Sequence, residues 1–170
     1  QARPARASTR RRWRSSSPPS RRRAAVGSGI RKLLIATRNP GKFRELTSLL
    51  ADCPFTAVSL TEAGIDVDVA ETGSTFEENA SLKATTYASL SGMLTLSDDS
   101  GLEVDALQGK PGIMSSRYAG DKSGDTERIS LLLKNLVGVP PKSRGARFRT
   151  VIAIAWPGRS ITLYTGECHG

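Results

Sequence analysis

KLLIATRNPGKFRELTSLL, Lys32 to Leu50, carries the reading of the fold. Lys32–Thr37 is a short apolar run ending in small polar residues, the pattern of a buried strand. Asn39-Pro40-Gly41 then breaks the chain. From Lys42 onward Phe43, Leu46, Leu49 and Leu50 recur at helical spacing. This strand, loop and helix is one half of an α/β unit, and the rest of the chain continues the alternation. Phe55–Leu60 reads as a second strand. Ser74 and Glu77 form a capping box that opens a helix running to about Leu90. Phe76, Ala80, Ala84 and Tyr87 lie on its core side. Met93–Ser97 reads as a strand and Leu102–Leu107 as another. Asp125 to about Val137 is helical, with Ile129, Leu132, Leu133 and Leu136 on one face. Ala146–Trp156 and Ser160–Glu167 are two long strands joined at Pro157-Gly158. Strands mixed with helices and closed by a strand pair predict an α/β fold with a mixed sheet. There is no internal repeat.

The 170 residues suffice for one domain with a sizeable core. The formal net charge of +9 is unevenly placed. Residues 1–29 hold nine of the 25 basic residues, all arginine, and no acid, so the remainder balances its 16 acidic residues. That first stretch, rich in Arg, Ser, Pro, Ala and Gly, predicts a disordered tail, with the folded domain over residues 30–170. A polybasic arm for nucleic acid, an organellar transit peptide and a start placed upstream of the true one all suit it. The neutral body has no basic, aromatic-rich pattern, which argues against nucleic acid as its partner. No apolar run approaches the roughly 18 residues of a membrane span, and no apolar segment follows the basic start as in a secretory signal. Cys53 and Cys168 lack CxxC spacing and suggest neither a disulfide scaffold nor a zinc site, so a reducing compartment is expected.

Four segments carry chemistry. Ala36–Lys42 joins a strand to a helix start, where free backbone N–H groups and the helix dipole favour phosphate. Lys42 adds a full charge, and Thr37 and Asn39 add hydrogen bonds. The loop is not a Walker A sequence, which needs Gly at Ala36 and Ser or Thr at Phe43. Glu71–Ala84 places Asn79 and Lys83 four residues apart on one helix face, with Glu71 just ahead of the helix and free to reach a metal. Ser97-Asp98-Asp99-Ser100-Gly101 follows an apolar strand and reads as an acidic turn, with Gly101 permitting the bend. Consecutive acids there are costly unless solvated or paired with a cation. Magnesium takes one or two carboxylates plus phosphate oxygens and water. Neighbours on an extended backbone face opposite ways, so one Asp can serve the metal or a water while the other supports it. Gly109–Tyr118 contains a Pro-Gly turn and Arg117, which suits a structural ion pair better than a phosphate contact. His169, the single histidine, is incidental.

In order and spacing these segments resemble the inosine triphosphate pyrophosphatase family, the Ham1 or RdgB type of dITP/XTP diphosphatase. The matching motifs are Thr37–Lys42, Glu71-Thr72-Gly73 through Glu78-Asn79-Ala80 to Lys83-Ala84, Asp98-Asp99-Ser100-Gly101-Leu102, Pro111-Gly112 and Ala146-Arg147-Phe148. The resemblance covers about residues 31–170. It implies a mixed twisted sheet flanked by helices, two lobes with a nucleotide cleft between them, and a cytoplasmic, Mg²⁺-dependent homodimer. The implied reaction is hydrolysis of ITP, dITP and XTP to monophosphate and pyrophosphate, which keeps deaminated purines out of nucleic acids. By the same resemblance Thr37, Asn39, Lys42, Lys83 and Ser100 bind substrate, Glu71 and Asp99 hold the metal, Asp99 accepts the proton, and Asp98 is an accessory acid. In this family the chain runs past the position of Gly170 into segments that grip the base and phosphates, so low activity of the 170-residue chain is expected. A Maf-type pyrophosphatase, a nucleic-acid binder working through the basic tail, and a relative that binds nucleotide without cutting it are the rival readings.

Overall fold

A computed structural model describes residues 31–170. The disorder expected for residues 1–29 lies outside the described residues. Five strands form one mixed sheet: β1 (Arg31–Ile35), β2 (Phe55–Ser59), β3 (Leu94–Val104), β4 (Ala146–Ala155) and β5 (Thr162–His169). Their order across the sheet is β2-β1-β3-β4-β5. The first three are parallel, and β4 and β5 add antiparallel. Three helices accompany them: α1 (Pro40–Leu49), α2 (Phe76–Ser91) and α3 (Asp125–Asn135). This is the mixed α/β architecture the sequence predicts.

The core has two sides because β1 is covered on both faces, as crossover helices require. Leu33 and Ile35 pack with Leu94, Leu96 and the α1 residues Phe43 and Leu46. Leu34 and Ala36 point the other way, toward Tyr87 of α2 and Leu60. Further along α2, Phe76, Ala80, Ala84 and Ala88 lie on Val151, Ala153 and Ala155 of β4. The small α2 residues bring the helix close: Ser97 Oγ on β3 donates to the Ala80 carbonyl at 2.6 Å.

Three expectations are corrected. Met93–Ser97 and Leu102–Leu107 are not separate strands. β3 is one 11-residue strand running straight through Asp98-Asp99-Ser100-Gly101. Unbroken pairing with β4, from Thr95 opposite Ala155 to Val104 opposite Ala146, overrides the local turn chemistry. The α2 cap is one residue later than expected. Thr75 Oγ1 accepts from the Glu78 amide, and Glu78 Oε2 accepts from the Ser74 amide at 2.6 Å. Glu77 is instead bonded to Arg149 of β4, and burial of Phe76 sets this register. Of the four apolar residues expected on one face of α3, only Leu136 is buried, and Ile129 and Leu133 stay exposed.

Strand order reverses at β1: α1 leads outward to β2, and α2 leads back across to β3. Such a switch point opens a crevice at the carboxyl ends of the two parallel strands. β3 pairs with β1 only over Leu94–Leu96, so the edge of β3 from Asp98 onward faces that crevice. Segment 105–145, with a 3-10 turn over Gly112–Arg117 and α3, builds the other side.

Candidate active site

The crevice is a cleft of about 680 Å³, and its lining includes all eight residues singled out in the sequence: Thr37, Asn39, Lys42, Glu71, Lys83, Asp98, Asp99 and Ser100. The lining also takes in residues 36–39 and 68–71, together with Ser116, Arg117 and Asp121 of segment 105–145.

Strand alternation divides the β3 acids as the extended backbone requires. Asp98 and Ser100 face α1, where Lys42 Nζ donates to Asp98 Oδ2 at 2.6 Å and to Ser100 Oγ at 2.9 Å. Asp99 faces α2. Its Oδ2 accepts from Asn79 Nδ2 at 3.0 Å, and its Oδ1 accepts from the Ser100 amide. Asp99 is only 6% exposed. Burial raises its pKa above the ordinary value, and the nearby Glu71 carboxylate adds to the rise. The Asn79 hydrogen bond, the Lys83 charge and the Ser100 amide pull it back.

Lys83 is not a solvated surface charge. Its Nζ donates to Glu71 Oε1 at 2.5 Å, and its charge also reaches Asp99. Glu71 and Asp99 both line the cleft. A divalent cation suits such a pair. Among the described residues no group of three or more His, Cys, Asp and Glu forms a metal cage. Two carboxylates with room for phosphate oxygens and water would suit a hard, oxygen-liganded divalent cation.

At the start of α1 the amides are not free as expected. Asn39 Oδ1 accepts from the Gly41 amide at 2.8 Å and the Lys42 amide at 3.2 Å. Pro40 has no amide hydrogen. The loop therefore offers the Asn39 amide group and the Thr37 hydroxyl rather than a bare helix terminus. Arg117 forms no ion pair among the described residues. Its Nε donates to Met114 Sδ, and the residue lines the cleft. His169 lies at the end of β5, beside Glu167 and outside the cleft lining.

The organising contacts of two residues, Arg38 and Asn79, escaped the sequence reading. Arg38 donates to the carbonyls of Asp66 and Val67 at 2.7 and 2.9 Å and pairs with Asp68, fastening the 66–68 loop to the α1 entry. A residue inside a phosphate-type loop was the available signal, but its partners lie 28 and 29 positions away. Asn79 was legible only as a neighbour of Lys83, although a weak helix former inside an α-helix hints at side-chain partners.

The fold and site together define an α/β protein that gathers lysines and carboxylates at a switch point between parallel strands. The family described as the Ham1 family matches residues 33–170, and the chain belongs to that family. It is 46% identical over 139 residues to the dITP/XTP pyrophosphatase of Geobacter sulfurreducens, covering 82% of this chain and 70% of that protein. It is 49% identical over 139 residues to the dITP/XTP pyrophosphatase of Desulforamulus reducens, covering 82% and 69%. Among solved structures, a HAM1 protein from Coxiella burnetii superposes with a TM-score of 0.76 at 37% identity, covering 83% of this chain and 72% of that one. The Maf-type reading is therefore set aside.

Proposed function

We propose that the chain hydrolyses non-canonical purine nucleoside triphosphates, ITP, dITP and XTP, to the monophosphate and pyrophosphate. The observation that carries this reading is the convergence of Asp99, Glu71, Lys83 and Lys42 in one cleft. Glu71 and Asp99 would hold Mg²⁺, which when bound neutralises phosphate charge and polarises a phosphoryl oxygen. Lys42 and Lys83 supply further positive charge for the chain of phosphates, and Thr37, Asn39 and Ser100 supply hydrogen bonds. A water oxygen adds to the α-phosphorus in line with the bond to the α–β bridging oxygen. That bond breaks, and pyrophosphate leaves. Asp99 accepts the proton from the water. Asp98 holds Lys42 in place from the α1 side.

Family membership supports the substrate class, since the relatives named above are dITP/XTP pyrophosphatases. It is also the support for a homodimer. Two free, exposed thiols, Cys53 and Cys168, suit the cytoplasm. No helix among the described residues is long and apolar enough to cross a membrane.

The test is pyrophosphate release from ITP, XTP, GTP and dTTP in competition, with Mg²⁺. ITP and XTP are expected to be cut in preference. Asp99→Asn should lower turnover by at least about 100-fold while triphosphate binding persists. Preference for dTTP, or turnover unchanged in Asp99→Asn, refutes the reading.

A further inference from the structure

We propose that Asn79 is a positioning residue whose two-ended amide locks Glu71 and Asp99 into one metal-binding pair. This rests on the metal-and-triphosphate reading above and adds to it a residue that does not itself touch the substrate. Asn79 is fully buried and is not part of the cleft lining. Its Nδ2 donates to Asp99 Oδ2 at 3.0 Å, across 20 residues of sequence. Its Oδ1 accepts from the Gly73 amide at 2.8 Å. Gly73 stands two residues after Glu71, so the second bond fixes the loop that delivers the other carboxylate.

The chemistry of the two ends permits only one orientation. A carboxylate accepts and a backbone N–H donates. Rotating the amide by half a turn would set oxygen against carboxylate oxygen and N–H against N–H. Asn is the side chain of this length that presents a donor and an acceptor in one rigid plane. Asp has no donor when ionised, and Leu has neither group. The approach at Gly73 is equally exacting. A Cβ there would lie 2.7 Å from Asn79 Oδ1 and 2.6 Å from Glu78 Cβ, closer than side chains tolerate. The tie therefore depends on a pair, Asn79 on α2 and a residue without a side chain in the loop. Lys83, one turn further along α2, completes the arrangement by holding Glu71 from the other side.

The experiment titrates the purified chain with Mn²⁺ alone, read by loss of the free-ion electron paramagnetic resonance signal. It compares the parent with Asn79→Ala and Gly73→Ala. The second variant cuts the same tie from a half-exposed loop, so it keeps the test open if Asn79→Ala folds poorly. Partners that orient metal ligands typically govern affinity by about 10–100-fold, and each variant is expected to weaken Mn²⁺ binding by at least about tenfold. Binding of an α,β-methylene purine triphosphate without metal should stay within about twofold, because the Thr37–Lys42 loop is untouched. Turnover lost in either variant should return as Mn²⁺ is raised. Parent-like Mn²⁺ affinity in both variants overturns the proposal. An equal fall in Mn²⁺ and metal-free nucleotide binding also overturns it, since that marks a general structural role. A parent that binds no Mn²⁺ sinks the underlying metal site and this inference with it, and the silent parent tells the two failures apart.

Discussion

Asp99 is a carboxylate held out of water by α2, and its surroundings set how it titrates. Because burial raises its pKa in the fold, the folded chain takes up this proton at a higher pH than the unfolded chain does. Between those two values the folded state binds more protons, so stability rises as pH falls through that window and is lowest on its alkaline side. Asp99→Asn carries no such proton. In metal-free buffer the urea midpoint of the parent should therefore gain on that of Asp99→Asn as pH drops from neutral into the window just above 3.8. A difference that stays flat with pH removes burial as the cause. That Asp98 and Asp99 face opposite ways was legible in the sequence, because alternation along a strand needs no tertiary information. Which of them meets α2 was not legible, since that depends on the packing of Ser97 against the Ala80 carbonyl.

At the scale of elements, β3 is the member that the sequence reading divided. Asp-Asp-Ser-Gly has the composition of a turn, and the reading gave Gly101 the task of bending the chain. In the fold Gly101 does something else. A Cβ there would come within 2.2 Å of the Gly112 carbonyl oxygen and 2.6 Å of Ser115 Oγ. Ser115 Oγ in turn accepts from the Leu102 amide at 2.9 Å and donates to the Gly112 carbonyl. Gly101 thus lets the 3-10 turn that ends at Arg117 lie directly against β3. Gly101→Ala should push that turn off the strand and lower stability by about 1–3 kcal/mol, read as a lower urea midpoint with an unchanged slope. Parent-like stability would mean that the turn moves away at little cost. Strands β1, β2, β4 and β5 were legible to within two residues because their apolar runs and flanking turn residues agree. The Gly101 contact was hidden, because its partners lie 11 and 14 residues further along the chain.

For the whole molecule, the balance of charge in the cleft decides how its ligands cooperate. The sequence revealed alternating elements, but not the strand order that brings residues 36–42 and 98–100 to one switch point. That juxtaposition creates a lining with four cations, Arg38, Lys42, Lys83 and Arg117, against five acids, Asp68, Glu71, Asp98, Asp99 and Asp121. Such a cleft is close to neutral, and its two lysines are already held by Asp98 and Glu71. A bare triphosphate has to compete with those carboxylates. On the function proposed above, a divalent cation held by Glu71 and Asp99 would relieve the competition at Lys83 and add attraction of its own, so metal and triphosphate should bind with positive coupling. Coupling free energies of this kind are typically 1–3 kcal/mol, or about 5–150-fold. Calorimetric titration of an α,β-methylene purine triphosphate should give at least about tenfold tighter binding with Mg²⁺ present than without it. By linkage, Mg²⁺ affinity must rise by the same factor once the triphosphate is bound. Asp99→Asn weakens the cation's hold and lightens the negative lining, so it should reduce the coupling while leaving metal-free triphosphate binding unchanged or tighter. Equal triphosphate affinity with and without metal would show that the lysines alone carry the phosphates, and that the carboxylate pair does not draw metal and nucleotide together.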